Sequence, residues 1–235
     1  MENIAWYVYV LFSATVVLSA WLFIKATGYS KTGIIMIIVW TIIQSGLGLS
    51  GFYSNTDSLT SRFPLLVIPP VLFLGSRFFT VSGKAFIDGL DLKTLTIFHI
   101  IRIPVEVTLL FLFLGNAIPE AMTFEGRNFD ILSGLSAPVI YYFAFVKKSL
   151  GKTAMIIWNV ICIVLLLSVV TSAVLSLPER YNQFGFEQPN IGVGFFPFLL
   201  LPALLVPLAL FSGAAAIRQL VLNKNFTFKN QNHEN

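Results

Sequence analysis

The sequence is short of charge, and this shortage excludes an ordinary soluble protein. Charged residues make up 11% of the 235 positions, whereas hydrophobic residues make up 56%. An average soluble domain carries about 25% charged residues, which surround its core. The mean hydropathy of +0.82 also indicates an apolar surface. We therefore expect lipid, rather than water, to cover much of the protein.

Cysteine and histidine are scarce too, which excludes several kinds of site. Cys162 is the single cysteine, so the chain has no internal disulfide and no cysteine-based metal or redox motif. His99 and His233 are too few for a multi-histidine zinc hydrolase or a bis-histidine haem bundle. The sequence also contains no Walker motif, no dinucleotide-binding glycine pattern and no complete GxSxG nucleophile elbow. We expect no metal and no cofactor.

Long apolar runs take the place of polar surface. Each run is near the length that a helix needs to cross about 30 Å of hydrocarbon, and none has the alternation of a barrel strand. Backbone groups in lipid must be satisfied within the segment, so the runs predict helices. We expect an all-α integral membrane protein of about seven spans, at residues 4–24, 33–53, 64–80, 94–115, 131–146, 153–177 and 191–217. The first run lacks a basic n-region, so it is predicted to be a permanent span rather than a signal peptide.

The basic residues separate by side of the membrane. If seven spans cross, one side contains most of the 15 basic residues, namely Lys25, Lys31, Arg77, Lys84, Lys93, Lys147, Lys148, Lys152, Arg218, Lys224 and Lys229. The other side contains Arg62, Arg127 and Arg180 with most of the acidic residues. Basic loops stay in the cytoplasm, which predicts an N-terminus outside and a C-terminus inside, in a cytoplasmic (inner) membrane. The net charge of +4 thus reports orientation and does not indicate nucleic-acid binding.

A single transmembrane domain is predicted over residues 1–224. The polar, Asn-rich residues 225–235 are expected to form a disordered cytoplasmic tail. Inside the domain, residues 81–92 mix polar and apolar side chains in too short a run to cross. We interpret them as a connector along the membrane surface.

Two stretches of sequence resemble each other, FPLLVIP from Phe63 and FPFLLLP from Phe196. Both are predicted on the outer side of their spans, which are spans three and seven. One interpretation is a 3+1+3 parallel repeat in which spans one to three match spans five to seven, a layout used by some small transporters. The other is chance, because Phe, Leu and Pro dominate both stretches and no comparable match joins the remaining spans.

Span four carries the most informative polar residues, His99, Arg102 and Glu106. Spacings of three and four residues place their side chains on one helix face, within a stripe of about 60°. A charge near the bilayer centre costs at least about 2.5–3.5 kcal/mol, so this face must contact protein or water. Either Arg102 and Glu106 merely neutralise each other, or the three residues form a working site. Pro104 lies between the charged pair and is expected to loosen the helix.

The outer loop after span four, residues 119–130, is the second candidate. It combines polar side chains with Phe124 and Phe129, and a solvated loop gains nothing from exposing two phenylalanines. The loop is therefore either a solvated connector or a lid over the span-four cluster. The candidate ligand-binding residues of the span and the loop are His99, Arg102, Glu106, Glu120, Glu125, Arg127, Asn128 and Asp130.

These features favour a small transporter, channel or ligand-binding protein with a polar intramembrane cavity on span four. Arg102 would attract a small anionic or zwitterionic solute, and His99 or Glu106 would exchange protons. One alternative is a membrane-embedded enzyme acting on a lipid-like substrate, with Glu106 or Asp130 as general base and His99 as acid or base. Another is a structural or accessory subunit of a membrane complex. The expected partners are the lipid bilayer, a small-molecule or ion ligand, and a second copy of the chain or another membrane protein.

Overall fold

The computed structural model describes residues 3–178 and 188–222, apart from the side chains of residues 56–58. The chain is 75% helix, and these described ranges contain no strand. The α-helices are α1 (Trp6–Ala26), α2 (Lys31–Leu49), α3 (Thr56–Arg62), α4 (Pro64–Ser76), α5 (Val81–Asp88), α6 (Leu92–Phe98), α7 (Arg102–Leu114), α8 (Ile131–Tyr141), α9 (Lys152–Leu175) and α10 (Val206–Leu222). A 3₁₀ turn joins α6 to α7, and π-helical turns follow α8 and precede α10. The predicted tail, residues 225–235, lies outside the described residues.

Among the described residues, six helical segments are long and apolar enough to cross a membrane, so the chain is a multi-pass membrane protein. They are Trp6–Ala26, Lys31–Leu49, Leu59–Ser76, Leu92–Leu114, Lys152–Leu175 and Leu201–Leu222. Their outward faces bear large exposed apolar side chains, which lipid would cover. The third segment starts five positions before the predicted residue 64. The fifth predicted span forms a shorter apolar helix, Ile131–Val146.

That helix is short because it starts beside the middle of the preceding span. Asp130, the residue before α8, contacts Arg102, the first residue of α7. A Cβ atom at Gly134, in the first turn of α8, would lie 3.0 Å from the backbone nitrogen of Ile103. At 1.5 Å per residue, Arg102 lies about 18 Å along the helix from Leu114, where α7 ends. Residues 115–130 therefore run back into the bundle before α8 begins.

The last span also starts differently from its prediction. Its helix begins at Leu201 rather than residue 191, because Gly192–Gly194 form a 3₁₀ turn and further turns follow around Pro197. FPFLLLP thus consists mainly of turns, whereas FPLLVIP lies at the start of α4. The resemblance between the two stretches does not extend to their backbone structure.

The two non-helical segments, residues 115–130 and 188–200, hydrogen-bond to each other. The backbone nitrogens of Ile191 and Gly192 donate to the carbonyl oxygen of Ala117, at 3.1 and 2.8 Å. The Gln188 side chain donates to the carbonyl oxygen of Ile118 at 2.5 Å. Backbone groups away from water need such partners, so each segment provides hydrogen-bond partners for the other.

Burial distinguishes central helices from peripheral ones. The Leu201–Leu222 segment is buried over 61% of its apolar stretch and Leu92–Leu114 over 50%, against 22% for α2. α10 packs against α9, α6 and α4, and α1 packs against α6 and α7. α2 lies at the periphery, where the indole nitrogen of Trp40 donates to the carbonyl oxygen of Ala203 at 2.8 Å. This bond joins α2 to the π-helical turn before α10.

The predicted connector contains α5, which is attached to the end of α10. The Thr80 side chain caps α5 by accepting a hydrogen bond from the Gly83 nitrogen at 3.1 Å. Arg218 of α10 donates to both carboxylate oxygens of Asp88, at 2.9 and 3.0 Å. Gln219 donates to the carbonyl oxygen of Leu90 at 2.8 Å. The connector therefore has fixed tertiary contacts.

Because α8 lies close to α7, a methyl group added at Gly134 should lower stability, whereas one added at an uncrowded glycine should not. Gly134→Ala places a Cβ 2.8 Å from Ile103 Cγ1 and should lower stability by about 1–3 kcal/mol through overpacking. The control is Gly46→Ala in α2, where a Cβ meets nothing within 4 Å and the gain in helix propensity is up to about 1 kcal/mol. Thermal melts in detergent measure both variants. Equal melting temperatures would contradict the close contact.

Candidate functional site

The polar residues of span four lie on both sides of a break in its helix. Pro104 has no N–H to donate to the carbonyl of Ile100, which loosens the helix at that point. Residues His99–Ile101 form a 3₁₀ turn, after which Arg102 begins α7. A 3₁₀ stretch within a longer helix often marks a hinge or a strained sequence. His99, Arg102 and Glu106 are all buried.

Arg102 pairs with the loop rather than with its own helix. Its Nη1 donates to Asp130 Oδ1 and, at 2.9 Å, to the carbonyl oxygen of Cys162 in α9. Asp130 also accepts a hydrogen bond from the Ser133 hydroxyl at 3.3 Å. Arg102 and Asp130 are 2% and 3% exposed, so this is a buried ion pair. It joins α7, α8 and α9 at one point.

Glu106 is hydrogen-bonded to a neutral amide. The Nδ2 of Asn128 lies 2.7 Å from both carboxylate oxygens of Glu106 and 2.9 Å from the carbonyl oxygen of Met122. The Oδ1 of Asn128 accepts from the backbone nitrogen of Asp130 at 2.9 Å. Asn128 therefore connects Glu106 to the segment that holds Asp130.

The interpretation that Arg102 and Glu106 merely neutralise each other is wrong. Within the described ranges, the one ion pair of Arg102 is with Asp130, and Glu106 forms none. The spacing along α7 brings the two side chains to one face, but the incoming loop places a second carboxylate closer to the guanidinium.

Only some polar residues of the loop at residues 119–130 are buried in the site. Asn128 and Asp130 are buried in the cluster, as are Met122 and Thr123 nearby. The predicted site residues Glu120, Glu125 and Arg127 are exposed instead. Of the two phenylalanines of the loop, Phe129 is 56% exposed, whereas Phe124 is partly buried.

His99 lies deepest in the cluster. It is 0% exposed, and neither ring nitrogen has a hydrogen-bond partner in the part of the chain described. Its ring meets Trp158 edge-on with centroids 5.2 Å apart, and Trp158 donates to the Ser136 hydroxyl at 2.9 Å. Arg102 Nε and Nη2 also lack partners among these residues. Buried polar atoms are nearly always hydrogen-bonded, so these atoms mark positions suited to water, an ion or a ligand group.

Three participants were not predicted from the sequence. Ser133 and Trp158 resemble the small and aromatic residues of any packed span. Cys162 contributes its backbone carbonyl, and no side-chain pattern indicates which carbonyl will face an arginine. Proximity to the predicted span-four face is the one signal that would have identified them.

A small cavity lies next to the two carboxyl groups. It has a volume of about 50 Å³ and is lined by Glu106 and Asp130 together with apolar side chains, including Val193 and Leu201 from the chain before α10. One water needs about 10–15 Å³ of such space, so the cavity has room for a water molecule. Its lining is almost entirely apolar, and Glu106 and Asp130 are its acidic residues. Within residues 3–178 and 188–222, no group of three or more His, Cys, Asp or Glu side chains is arranged to hold a metal ion.

The buried pair predicts a large asymmetry between single and double substitutions. Asp130→Asn leaves the Arg102 charge without a counter-ion and should cost about 3–5 kcal/mol. Combining it with Arg102→Met should restore much of the stability, because the uncompensated charge is gone. Glu106→Gln, which keeps an acceptor for Asn128, should cost far less than Asp130→Asn.

The exposed ion pair of Asp88 with Arg218 supplies the matched control. Asp88→Asn should change stability by at most about 1 kcal/mol. Detergent melts of these variants are the measurement. A double variant as unstable as Asp130→Asn alone would contradict the pairing.

Comparison with known proteins provides no function to transfer. No protein-family model, curated protein or solved structure matches this chain. The function has to be argued from the geometry of the buried cluster.

Proposed function

We propose that this chain is a small membrane transport protein whose buried cluster exchanges a proton or a small cation. The observation that carries the proposal is the charge count of the cluster. It contains one permanent cation, Arg102, and two carboxyl groups, Asp130 and Glu106. Because Arg102 pairs with Asp130, a charge on Glu106 needs a proton or another cation to balance it.

The surroundings of Glu106 suit an exchange site better than a fixed charge. Its partner Asn128 is neutral, and the 50 Å³ cavity beside it has room for a water or an ion. The ring nitrogens of His99 have no partner in the described ranges and can form hydrogen bonds with a water or a ligand group. Ionisable groups within a membrane are most often parts of ion paths or proton relays.

The backbone around the cavity also supports the proposal of a transport protein. Non-helical segments interrupt the bundle on two sides: residues 115–130 carry Asn128 and Asp130 into the cluster, and the chain before α10 contributes Val193. Many secondary transporters bind their substrates where membrane helices are discontinuous. A π-helical turn, a feature frequent at functional sites, also borders this cavity at Leu201.

Arg102 provides the binding position for an anionic or zwitterionic solute. Its Nη1 is occupied by Asp130 and Cys162, while its Nε and Nη2 make no hydrogen bond within the described part of the chain.

Proton flux into liposomes tests the proposal. The purified chain is reconstituted with a pH-sensitive dye inside, and a potassium gradient with valinomycin imposes a membrane potential. Acidification above that of empty liposomes is expected. Glu106→Gln should reduce this excess by at least about tenfold, since a glutamine cannot exchange a proton.

Glu125→Gln, an exposed acidic position of the same loop, should leave the flux unchanged. In an infrared pH titration, Glu106→Gln should also remove the carbonyl-stretch signal of one titrating buried carboxyl group. A wild-type flux equal to that of empty liposomes, together with identical infrared titrations of both proteins, would refute the proposal.

We also propose seven crossings, with the N-terminus outside and the C-terminus in the cytoplasm. The 115–130 segment and the helix Ile131–Val146 would together form the fifth crossing, which explains why that helix alone is short. Every loop then agrees with the distribution of basic residues.

Cysteine labelling in intact cells measures this topology. In a Cys162→Ala background, a cysteine replacing exposed Glu125 should react with an impermeant thiol reagent, and one replacing exposed Ser149 should not. Labelling of Ser149→Cys alone would reverse the orientation. Labelling of both positions would contradict an odd number of crossings between them.

A further inference from the structure

A second cavity, larger than the one beside Glu106, is an open crevice outside the charged cluster. It has a volume of about 660 Å³ and lies between α2, α4 and α10. Its walls are apolar and include Val39, Trp40, Phe73 and Leu208. The volume falls in the range of about 300–1,000 Å³ that is typical of small-molecule sites.

A single guanidinium lies at this apolar crevice. Arg77, the residue after α4, lines it together with Met36 and Phe73. Its guanidinium carbon is 4.7 Å from the centre of the Phe73 ring, and its Nη2 is 3.9 Å from the sulfur of Met36. Among the residues described, no carboxylate lies within ion-pair distance of Arg77. The guanidinium is therefore held across the crevice between α2 and α4 without a counter-charge.

We propose that this crevice binds an anionic phospholipid, with an acyl chain between α2, α4 and α10 and the headgroup phosphate at Arg77. Acyl chains of any lipid can fill the apolar part, so selectivity has to come from the headgroup. A planar guanidinium matches a phosphate with two parallel hydrogen bonds, and basic pockets between membrane helices recognise anionic headgroups in this way.

The first turn of α2 adds to the attraction for a phosphate. Ser30, Thr32 and Gly33 line the same crevice, and Lys31 lies between them in sequence. The Ser30 side chain makes no capping hydrogen bond to the amides of α2. Free amides at a helix start and a nearby lysine both favour an anion. The headgroup end of the crevice thus has two sources of positive potential, and Arg77 is the side chain that faces it.

Native mass spectrometry of the full chain in detergent tests the proposal. The protein is titrated with phosphatidylglycerol or with phosphatidylcholine of identical acyl chains. One phosphatidylglycerol should bind at least about fivefold more tightly than phosphatidylcholine, the effect expected of one basic residue near an anionic headgroup. Arg77→Gln should abolish this preference. Lys147→Gln should keep it, since Lys147 also stacks over an aromatic ring, Phe143, but lies outside the crevice.

A second pair of variants tests the position of the acyl chain. Val39→Trp fills the crevice from α2 and should weaken binding of both lipids at least about fivefold. Ile42→Trp, on the same helix at a more exposed position outside the crevice, should not. Glycerol 3-phosphate, the headgroup without chains, should fail to displace the lipid.

Several results would overturn the proposal. Equal affinities of the two lipids for the wild-type chain, or a preference retained in Arg77→Gln, would exclude recognition by Arg77. Equal effects of Val39→Trp and Ile42→Trp would place the lipid elsewhere. Displacement by glycerol 3-phosphate would show a phosphate site that does not need an acyl chain.

Discussion

The ion pair between Arg102 and Asp130 fixes the point at which the chain turns back into the bundle after α7. Because Asp130 immediately precedes α8, pairing with Arg102 places the start of α8 beside the middle of the neighbouring span. Residues 115–130 then return to the bundle without forming an α-helix, and Met122, Thr123, Asn128 and Asp130 are buried there. Their backbone groups need partners there, and the chain before α10 supplies several by leaving its own helix. The buried pair thus fixes the first interruption of the bundle, and hydrogen bonds to Ala117 connect the second interruption to it.

Asn128 makes the arrangement specific. Its amide nitrogen donates to Glu106 and to the Met122 carbonyl oxygen, while its amide oxygen accepts from the backbone nitrogen of Asp130. A side chain that donates at one atom and accepts at the other permits a single orientation and a single register of the loop. Apolar residues of similar volume would often stabilise such a core as well as a buried ion pair does. The polar network therefore contributes to the position of the loop, and hence of Asp130, more than to stability.

Hydropathy predicted most of the fold because crossing hydrocarbon requires about 20 consecutive apolar residues, and six such segments form helices of that length. It failed before α10, where residues 191–200 are as apolar as a span but form turns. Gly192, Gly194 and Pro197 were the available signals for those turns. At the fifth predicted span a helix forms at the predicted residues, Ile131–Val146, but it is shorter than the six segments, and hydropathy could not show that it starts beside the middle of α7.

Spacing along one helix placed three of the candidate residues on one face, and these residues are all buried. It could not rank Glu106 against Asp130 as the partner of Arg102, since that choice depends on the path of a loop. For the same reason, composition could not separate the inward-facing Asn128 from its exposed neighbours Glu125 and Arg127. The positions of the loop side chains follow from tertiary contacts that no local pattern contains.

The hydrogen bond from Trp40 to Ala203 connects α2, one of the two least buried spans described, to the turn beside the cavity of Glu106. A helix that is mostly surrounded by lipid adjusts its tilt to the hydrophobic thickness of the bilayer. Next to Ala203, Leu201 and Pro202 line the cavity beside Glu106. Through one hydrogen bond, the position of a mostly lipid-surrounded helix is therefore linked to the wall of that cavity.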